Sequence, residues 1–174
     1  MMKINKIINQ AKNGDKQAFN ELITFYEQDL YKIARSRLNE EDVYDAIQET
    51  IITIYQSLNK LSKLSSFKSW MIKILINKCN DLYRKKENSH NVSYDIFENE
   101  DYLNKTIQDD SNLEFNSLMN LLDYDERIIV ILYYIEGYKS REIAETLKIK
   151  HNSTVRSKLH RAKFKLREYV KEEK

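Results

Sequence analysis

A chain of 174 residues with no proline and only two glycines, Gly14 and Gly137, has almost nothing with which to punctuate hairpins or tight turns. Helix is the element such a composition favours, and the sequence predicts an all-α fold. Length allows one ordinary domain or two small ones. Hydrophobic residues at 41% and charged residues at 32% place the chain among globular rather than disordered proteins.

The apolar period divides the chain. Over residues 3–86 helical patterns alternate with short polar breaks. Asp15 is placed to cap a helix in which Ala18, Phe19, Leu22, Ile23, Tyr26, Leu30, Ile33 and Ala34 recur at three- and four-residue steps. Asn39, three residues before Asp42, opens a second helix expected to bury Val43, Ile47 and Ile51 or Ile54. After a break at 60–66 comes a third, with Phe67, Trp70, Met71, Ile74 and Lys78 along one strip and the basic cluster Arg84, Lys85, Lys86 at its end. The spacing puts Trp70 with the core rather than on a base-stacking platform. From Glu87 to Ser111 the period lapses into an acidic, Asn- and Ser-rich stretch that reads as a flexible linker, in which residues 94–97 could dock. It returns with Leu113, Leu118, Leu121, Leu122, Ile128, Ile129, Ile131 and Leu132. The expected layout is two small helical domains, 1–86 and 112–174, joined by an acidic linker at 87–111.

Charge follows the same division. Residues 1–86 carry 15 Lys/Arg against 10 Asp/Glu, residues 87–114 carry 1 against 8, and residues 115–174 carry 13 against 9, although the whole chain nets only +2. Basic helical modules suit a polyanion, because each cation set on a phosphate releases condensed counterions; a Lys-rich surface that merely keeps helices soluble reads the same way on charge alone.

Residues 139–167 have the logic of a helix-turn-helix. A first helix over 140–147 presents Ile143, Ala144 and Leu147 inward, and Ala144 is small enough for a second helix to cross closely. After a turn at 148–152, Asn152 or Ser153 can cap a second helix whose Val155, Leu159, Ala162 and Leu166 form the buried strip. Ser153, Thr154, Arg156, Ser157, His160 and Arg161 are then offered to a partner, with Lys139, Lys158 and Lys163 placed to meet phosphates. Arg pairs bidentately with guanine in the major groove, and Ser or His reaches other base edges. The same periodicity fits a three-helix bundle with a solvated charged face, and Phe164 on the exposed side has no role in either reading.

Earlier in the chain Asp42, Asp45 and Glu49 share a helical face with Gln48 beside it. Such a face on a basic module repels DNA and suits a positively charged protein surface, unless it is simply solvated. Asn77, Lys78, Asp81, Arg84 and Lys85 offer amide and carboxylate groups to an extruded base and cations to its backbone.

These motifs together resemble bacterial RNA polymerase sigma factors. The run LYYIEGY at 132–138, Glu142-Ile143-Ala144, STVRS at 153–157 and His160-Arg161-Ala162 are similar to sigma region four, which in that family reads the minus-thirty-five promoter element and rests on the polymerase beta flap. Asp45-Ala46-Ile47-Gln48-Glu49 matches the D-x-x-Q-E signature of region two, which grips the beta-prime clamp. Phe67-Lys68-Ser69-Trp70-Met71, Asn77 and DLYR at 81–84 resemble that region's minus-ten and melting segment. Lys148 stands where a turn glycine is common, Ser153 replaces another, and the turn is one residue longer.

With no room for regions one or three, the layout is similar to the extracytoplasmic-function (ECF) group. The resemblance implies a cytoplasmic initiation factor that binds core RNA polymerase and promoter DNA. It also implies an anti-sigma partner, often membrane-anchored, and a linker threaded through the nucleic-acid channel.

Other classes fit less well. The three histidines, His90, His151 and His160, are scattered, the single Cys79 lacks a partner base, and two isolated glycines cannot make a phosphate loop, so no catalytic residue, metal site, cofactor or small-molecule substrate is expected. One cysteine, no apolar run near the roughly 18 residues of a membrane span and no signal-peptide core in MMKINKIINQ point to the cytosol. An autonomous helix-turn-helix regulator, or a polymerase-binding regulator that blocks initiation, remains an alternative.

Overall fold

The structure is a computed structural model, and it describes residues 2–89 and 117–172. Among them every regular element is helical, in two compact units, Met1–Asn91 and Val92–Lys174.

The first unit is built from α1 (Met2–Lys12), α2 (Lys16–Arg35), α3 (Glu40–Ser57) and α4 (Phe67–Ser89). Gly14, at φ +93°, turns the chain between α1 and α2 in a conformation that L side chains rarely adopt. Asp15 caps α2 as its position predicts, its Oδ1 accepting from Gln17 N at 2.9 Å and Ala18 N at 3.0 Å. Asn39 does the same for α3, accepting from Asp42 N at 3.1 Å. Every apolar position assigned to α2 is buried except Ile23, which is half-buried.

The core strip of α3 differs from the expectation. Val43, Ala46, Thr50 and Ile54 face inward, while Ile47 and Ile51 are only half-buried, so the helix is rotated by part of a turn from the strip that its largest residues would choose. The buried hydroxyl is satisfied within the helix, where Thr50 Oγ1 donates to Ala46 O at 2.7 Å.

Two short 3-10 turns, Leu58–Lys60 and Leu64–Ser66, carry the chain from α3 to α4 over the predicted break. Lys12 Nζ donates to Leu61 O at 2.6 Å and ties α1 to this connection. Helix α4 packs against α2 and α3 and buries Phe67, Met71, Ile72, Leu75, Ile76 and Cys79. Trp70 and Ile74, expected on that strip, are half-buried, and Trp70 keeps the Phe67 ring 6.1 Å away. The helix also continues to Ser89, three residues into the stretch read as linker; positions 90–111, with the segment 94–97, and Leu113 lie outside the described residues.

The second unit contains α5 (Tyr124–Val130), a π-helical turn (Ile131–Ile135), α6 (Ser140–Thr146) and α7 (Asn152–Glu172). Its core is Leu122, the run Ile128 to Leu132, Ile143, Ala144, Val155, Leu159 and Ala162. Leu118, Leu121, Leu147 and Leu166 are half-buried, and Thr146 is buried in place of Leu147. The π turn closes with Glu136 N donating to Ile131 O at 3.0 Å, and Gly137 at φ +73° redirects the chain into α6.

Helix α6 ends in a Schellman motif. Ile149 N donates to Ala144 O at 2.8 Å and Lys148 N to Glu145 O at 3.4 Å, which leaves Lys148 itself in the left-handed region at φ +56°. Glycine is common at this position because it alone adopts that backbone without strain. Helix α7 then starts at Asn152, with His151 O accepting from Thr154 N at 3.1 Å. Asn152 and Ser153 thus lie inside its first turn rather than at the cap the sequence suggested.

Candidate functional site

In the first unit the acidic candidates lie along α3 beside its buried strip. Asp45, Gln48 and Glu49 are exposed and Asp42 is half-buried. Glu40, Glu41 and Asp42 also occupy the first turn, where carboxylates complement the positive end of the helix dipole.

Glu49 is engaged rather than merely solvated. Its Oε2 accepts from Lys78 Nζ at 2.8 Å, and that hydrogen bond, reinforced by the ammonium charge, holds the carboxyl below the usual glutamate range. The sequence points Lys78 at DNA and Glu49 at a protein surface, yet the two bridge α3 and α4. An exposed pair of this kind contributes little to stability, so both groups can be taken over by a partner at small cost.

Asn77, Lys78, Asp81, Arg84 and Lys85 follow one another at steps of one, three, three and one; Asn77, Asp81 and Arg84 face away from Leu75 and Cys79, while Lys78, two turns after Met71, borders the buried strip. Asn77 and Lys78 are half-buried; Asp81, Arg84 and Lys85 are exposed. Sequence reasoning missed Asn80 on the same helix, whose Oδ1 accepts from Arg37 Nη2 at 3.0 Å and anchors the start of this face to the α2–α3 connection.

In the second unit α7 presents three strips. Val155, Leu159 and Ala162 are buried against α5 and α6. Ser153, Arg156, Ser157, His160 and Lys163 are exposed on the opposite side, with Thr154 at their edge and Phe164, 62% exposed, in their midst.

The third strip is occupied by ion pairs. Lys158 Nζ lies 2.7 Å from Asp125 Oδ2, Arg161 Nε 3.4 Å from Glu126 Oε1, and Lys165 Nζ 3.0 Å from Asp123 Oδ1 and 2.9 Å from Glu126 Oε2. The hydrogen bond to Glu126, with the neighbouring carboxylates, raises the Lys165 ammonium above the usual lysine range. The structure therefore separates the cations that the sequence grouped together. Arg156 and Lys163 are presented outward, whereas Lys158 is half-buried and held by Asp125. Lys139 is exposed before α6, its backbone N donating to Glu142 Oε2 at 2.7 Å.

Sequence reasoning missed Asp123, Asp125, Glu126 and Lys165. A signal existed, since Asp123 and Glu126 have capping-box spacing, and Glu126 Oε2 does accept from Asp123 N at 3.2 Å. Among the described residues no group of His, Cys, Asp and Glu could hold a metal ion, and no helix is long and apolar enough to cross a membrane.

An outward-facing basic strip on the second helix of a helix-turn-helix, in a chain whose other unit carries neighbouring acidic and basic faces, is the arrangement of a modular DNA-binding protein. The ECF sigma factor family model matches residues 1–172, and the chain belongs to that family. Its function is accordingly that of a sigma factor, which binds core RNA polymerase and directs transcription initiation at promoters.

It is 29% identical to the RNA polymerase sigma factor SigV of Bacillus subtilis (strain 168), over 88% of this chain and 91% of that protein. It is 30% identical to the RNA polymerase sigma factor NccH of Alcaligenes xylosoxydans xylosoxydans, over 90% of this chain and 89% of that one. Two solved structures share the fold. CnrH in complex with the cytosolic domain of CnrY matches at TM-score 0.65 and 24% identity, over 98% of both chains. The sigma factor RpoE in complex with the anti-sigma factor NepR from Bartonella quintana matches at TM-score 0.65 and 20% identity, over 88% of this chain and 96% of that one.

Proposed function

We propose a division of labour among the described faces. Asp42, Asp45, Gln48 and Glu49 on α3 dock the first unit on the beta-prime clamp of core RNA polymerase. Asn77, Lys78, Asp81, Arg84 and Lys85 on α4 receive an unpaired minus-ten base and its backbone. The outward strip of α7, with Lys139, Lys158 and Arg161 at its flanks, enters the major groove of the minus-thirty-five element while the second unit rests on the beta flap. In this reading residues 1–86 form the region-two-like domain, 87–111 the acidic linker through the polymerase channel and 112–174 the region-four-like domain.

The observation that carries the reading is the outward strip of α7, in which Arg156, His160 and Lys163 are exposed and directed away from the apolar strip that holds the helix in place. The protein acts in the cytoplasm, performs no catalysis of its own and is held in check by an anti-sigma protein. The last point is supported by the partners in two structures of the same fold, the cytosolic domain of CnrY on CnrH and NepR on RpoE.

The test is run-off transcription with sigma-free core enzyme on promoter fragments, alongside retention of the protein by immobilised core. The wild type is expected to confer defined start sites, and an Asp45→Lys/Glu49→Lys variant is expected to lose retention. Equal retention of both forms would remove the role given to α3. Promoter binding as tight without polymerase as with it would favour the autonomous regulator.

A further inference from the structure

We infer that Glu126, at the start of α5, is a positioning residue for promoter recognition: its buried carboxylate fixes how Arg161 leaves α7 and so aims that guanidinium at a phosphate beside the upstream element. The inference rests on the proposed role of α7 in reading that element.

As a cap alone, Glu126 would carry a desolvation cost that an exposed cap avoids. Glu142 performs the same capping at α6, accepting from Lys139 N at 2.7 Å, and does so while exposed, where its charge stays hydrated. Glu126 makes the equivalent bond to Asp123 N but is 0% exposed beneath α7, and an ionised carboxylate taken out of water must be compensated by charge and hydrogen bonds.

One oxygen is compensated in full. Oε2 accepts from Asp123 N at 3.2 Å and from Lys165 Nζ at 2.9 Å. The other is not. Among the described residues Oε1 accepts no hydrogen bond, and the Arg161 guanidinium is its counter-charge, Nε lying 3.4 Å away. That oxygen is spare capacity in a dry site, and it points at one arginine of the DNA-reading helix.

The geometry at Arg161 completes the picture. The contact to Glu126 is made from Nε, the inner edge of the guanidinium, and the side chain remains 60% exposed. A guanidinium is planar and carries five donors in a fixed fork, so holding Nε sets the plane of the terminal nitrogens and leaves them available to an anion. Arg161 directly follows His160 of the outward strip, which puts those donors at its flank, where a recognition helix meets the sugar-phosphate backbone. An arginine oriented beforehand loses less rotamer freedom when DNA arrives.

The experiment uses the full chain bound to sigma-free core polymerase and two promoter fragments, one with its upstream element intact and one with it scrambled. Glu126→Gln keeps the cap acceptor and the side-chain volume while removing the charge. It is expected to weaken binding to the intact fragment about tenfold, the size of one charge-assisted hydrogen bond, and to lower the salt dependence by about one released counterion. Arg161→Ala is expected to do the same, and the double variant to fall no further than either.

Arg161→Lys keeps the charge and the partner of Glu126 but not the fork, so it gives an independent reading if Glu126→Gln folds poorly; it is expected to match the Arg161→Ala loss. Losses that multiply in the double variant, or wild-type binding by Arg161→Lys, would overturn the inference. So would an Arg156→Ala variant that loses the upstream preference while Arg161→Ala keeps it, an outcome that leaves the sigma reading standing. Absence of any upstream preference in the wild type would overturn both.

Discussion

Replacing Lys148 by glycine is expected to stabilise the second unit, because the C-terminus of α6 forces this lysine to φ +56°. A left-handed conformation costs an L residue roughly 1–2 kcal/mol, and glycine escapes that cost but gives up roughly 0.5–1 kcal/mol through its freer unfolded chain. The difference is a gain of about 0.5–1 kcal/mol. For a domain of this size that corresponds to a rise of roughly 2–8 °C in Tm.

Two companion variants isolate the cause. Lys148→Ala removes the same side chain yet keeps a Cβ, so its Tm is expected to stay at the wild-type value. Gly137→Ala adds a Cβ that would meet nothing within 4 Å, so its penalty comes from φ +73° alone and the Tm is expected to fall by about as much as Lys148→Gly raises it. Differential scanning calorimetry of the full chain measures all three. A fall in Tm for Lys148→Gly, or a rise for Lys148→Ala equal to that of the glycine variant, would refute the backbone argument.

Arg156→Ala is expected to reduce discrimination at one upstream base pair by about 1–3 kcal/mol, measured as relative holoenzyme affinities for single-base variants; equal weakening on every sequence would make Arg156 a phosphate contact instead. Burial pushes the Cys79 thiol up to about 12, so native protein at pH 8 is expected to resist iodoacetamide and to react at the rate of unfolding, and full labelling within minutes would contradict the packing of α4. The ammonium of Lys165 is raised by its bonds to Glu126 and Asp123, so its contribution to stability is complete below the unfolded lysine value of about 10.4 and is lost as pH climbs through the higher folded value. Urea midpoints between pH 9 and 11.5 are therefore expected to fall more steeply for the wild type than for Lys165→Met, and parallel curves would refute the assignment.

What the sequence made legible were features written within a few residues of one another. Asp15 and Asn39 announce their helices because a cap needs only a short polar side chain and the next turn of backbone. The buried and outward strips of α7 are equally readable, since Val155, Leu159 and Ala162 set the phase by themselves, whereas its ion-paired strip is not. What stayed hidden depended on neighbours distant in the chain. In α3 the isoleucines at 47 and 51 outrank Ala46 and Thr50 in hydrophobicity, but the directions of α2 and α4 decide which side is covered, and small side chains let those helices approach closely. Trp70 sits at the margin of α4 for a similar reason, and Ile52 is 55% exposed although size alone would bury it. A fully buried Glu126 could not be inferred because its tolerance depends on Arg161 and Lys165, some forty residues further on.

The three-way partition of α7 limits how its promoter preference can be rewritten. A graft of the entire helix from a relative would exchange the lettering that reads DNA together with the cations that dock on the Asp123–Glu126 segment, and the recipient would inherit mismatched charges beneath its new reading head. Diversifying only positions 153, 156, 157, 160 and 163 leaves both inner strips intact, so the vocabulary of the helix can change while its seat in the protein does not.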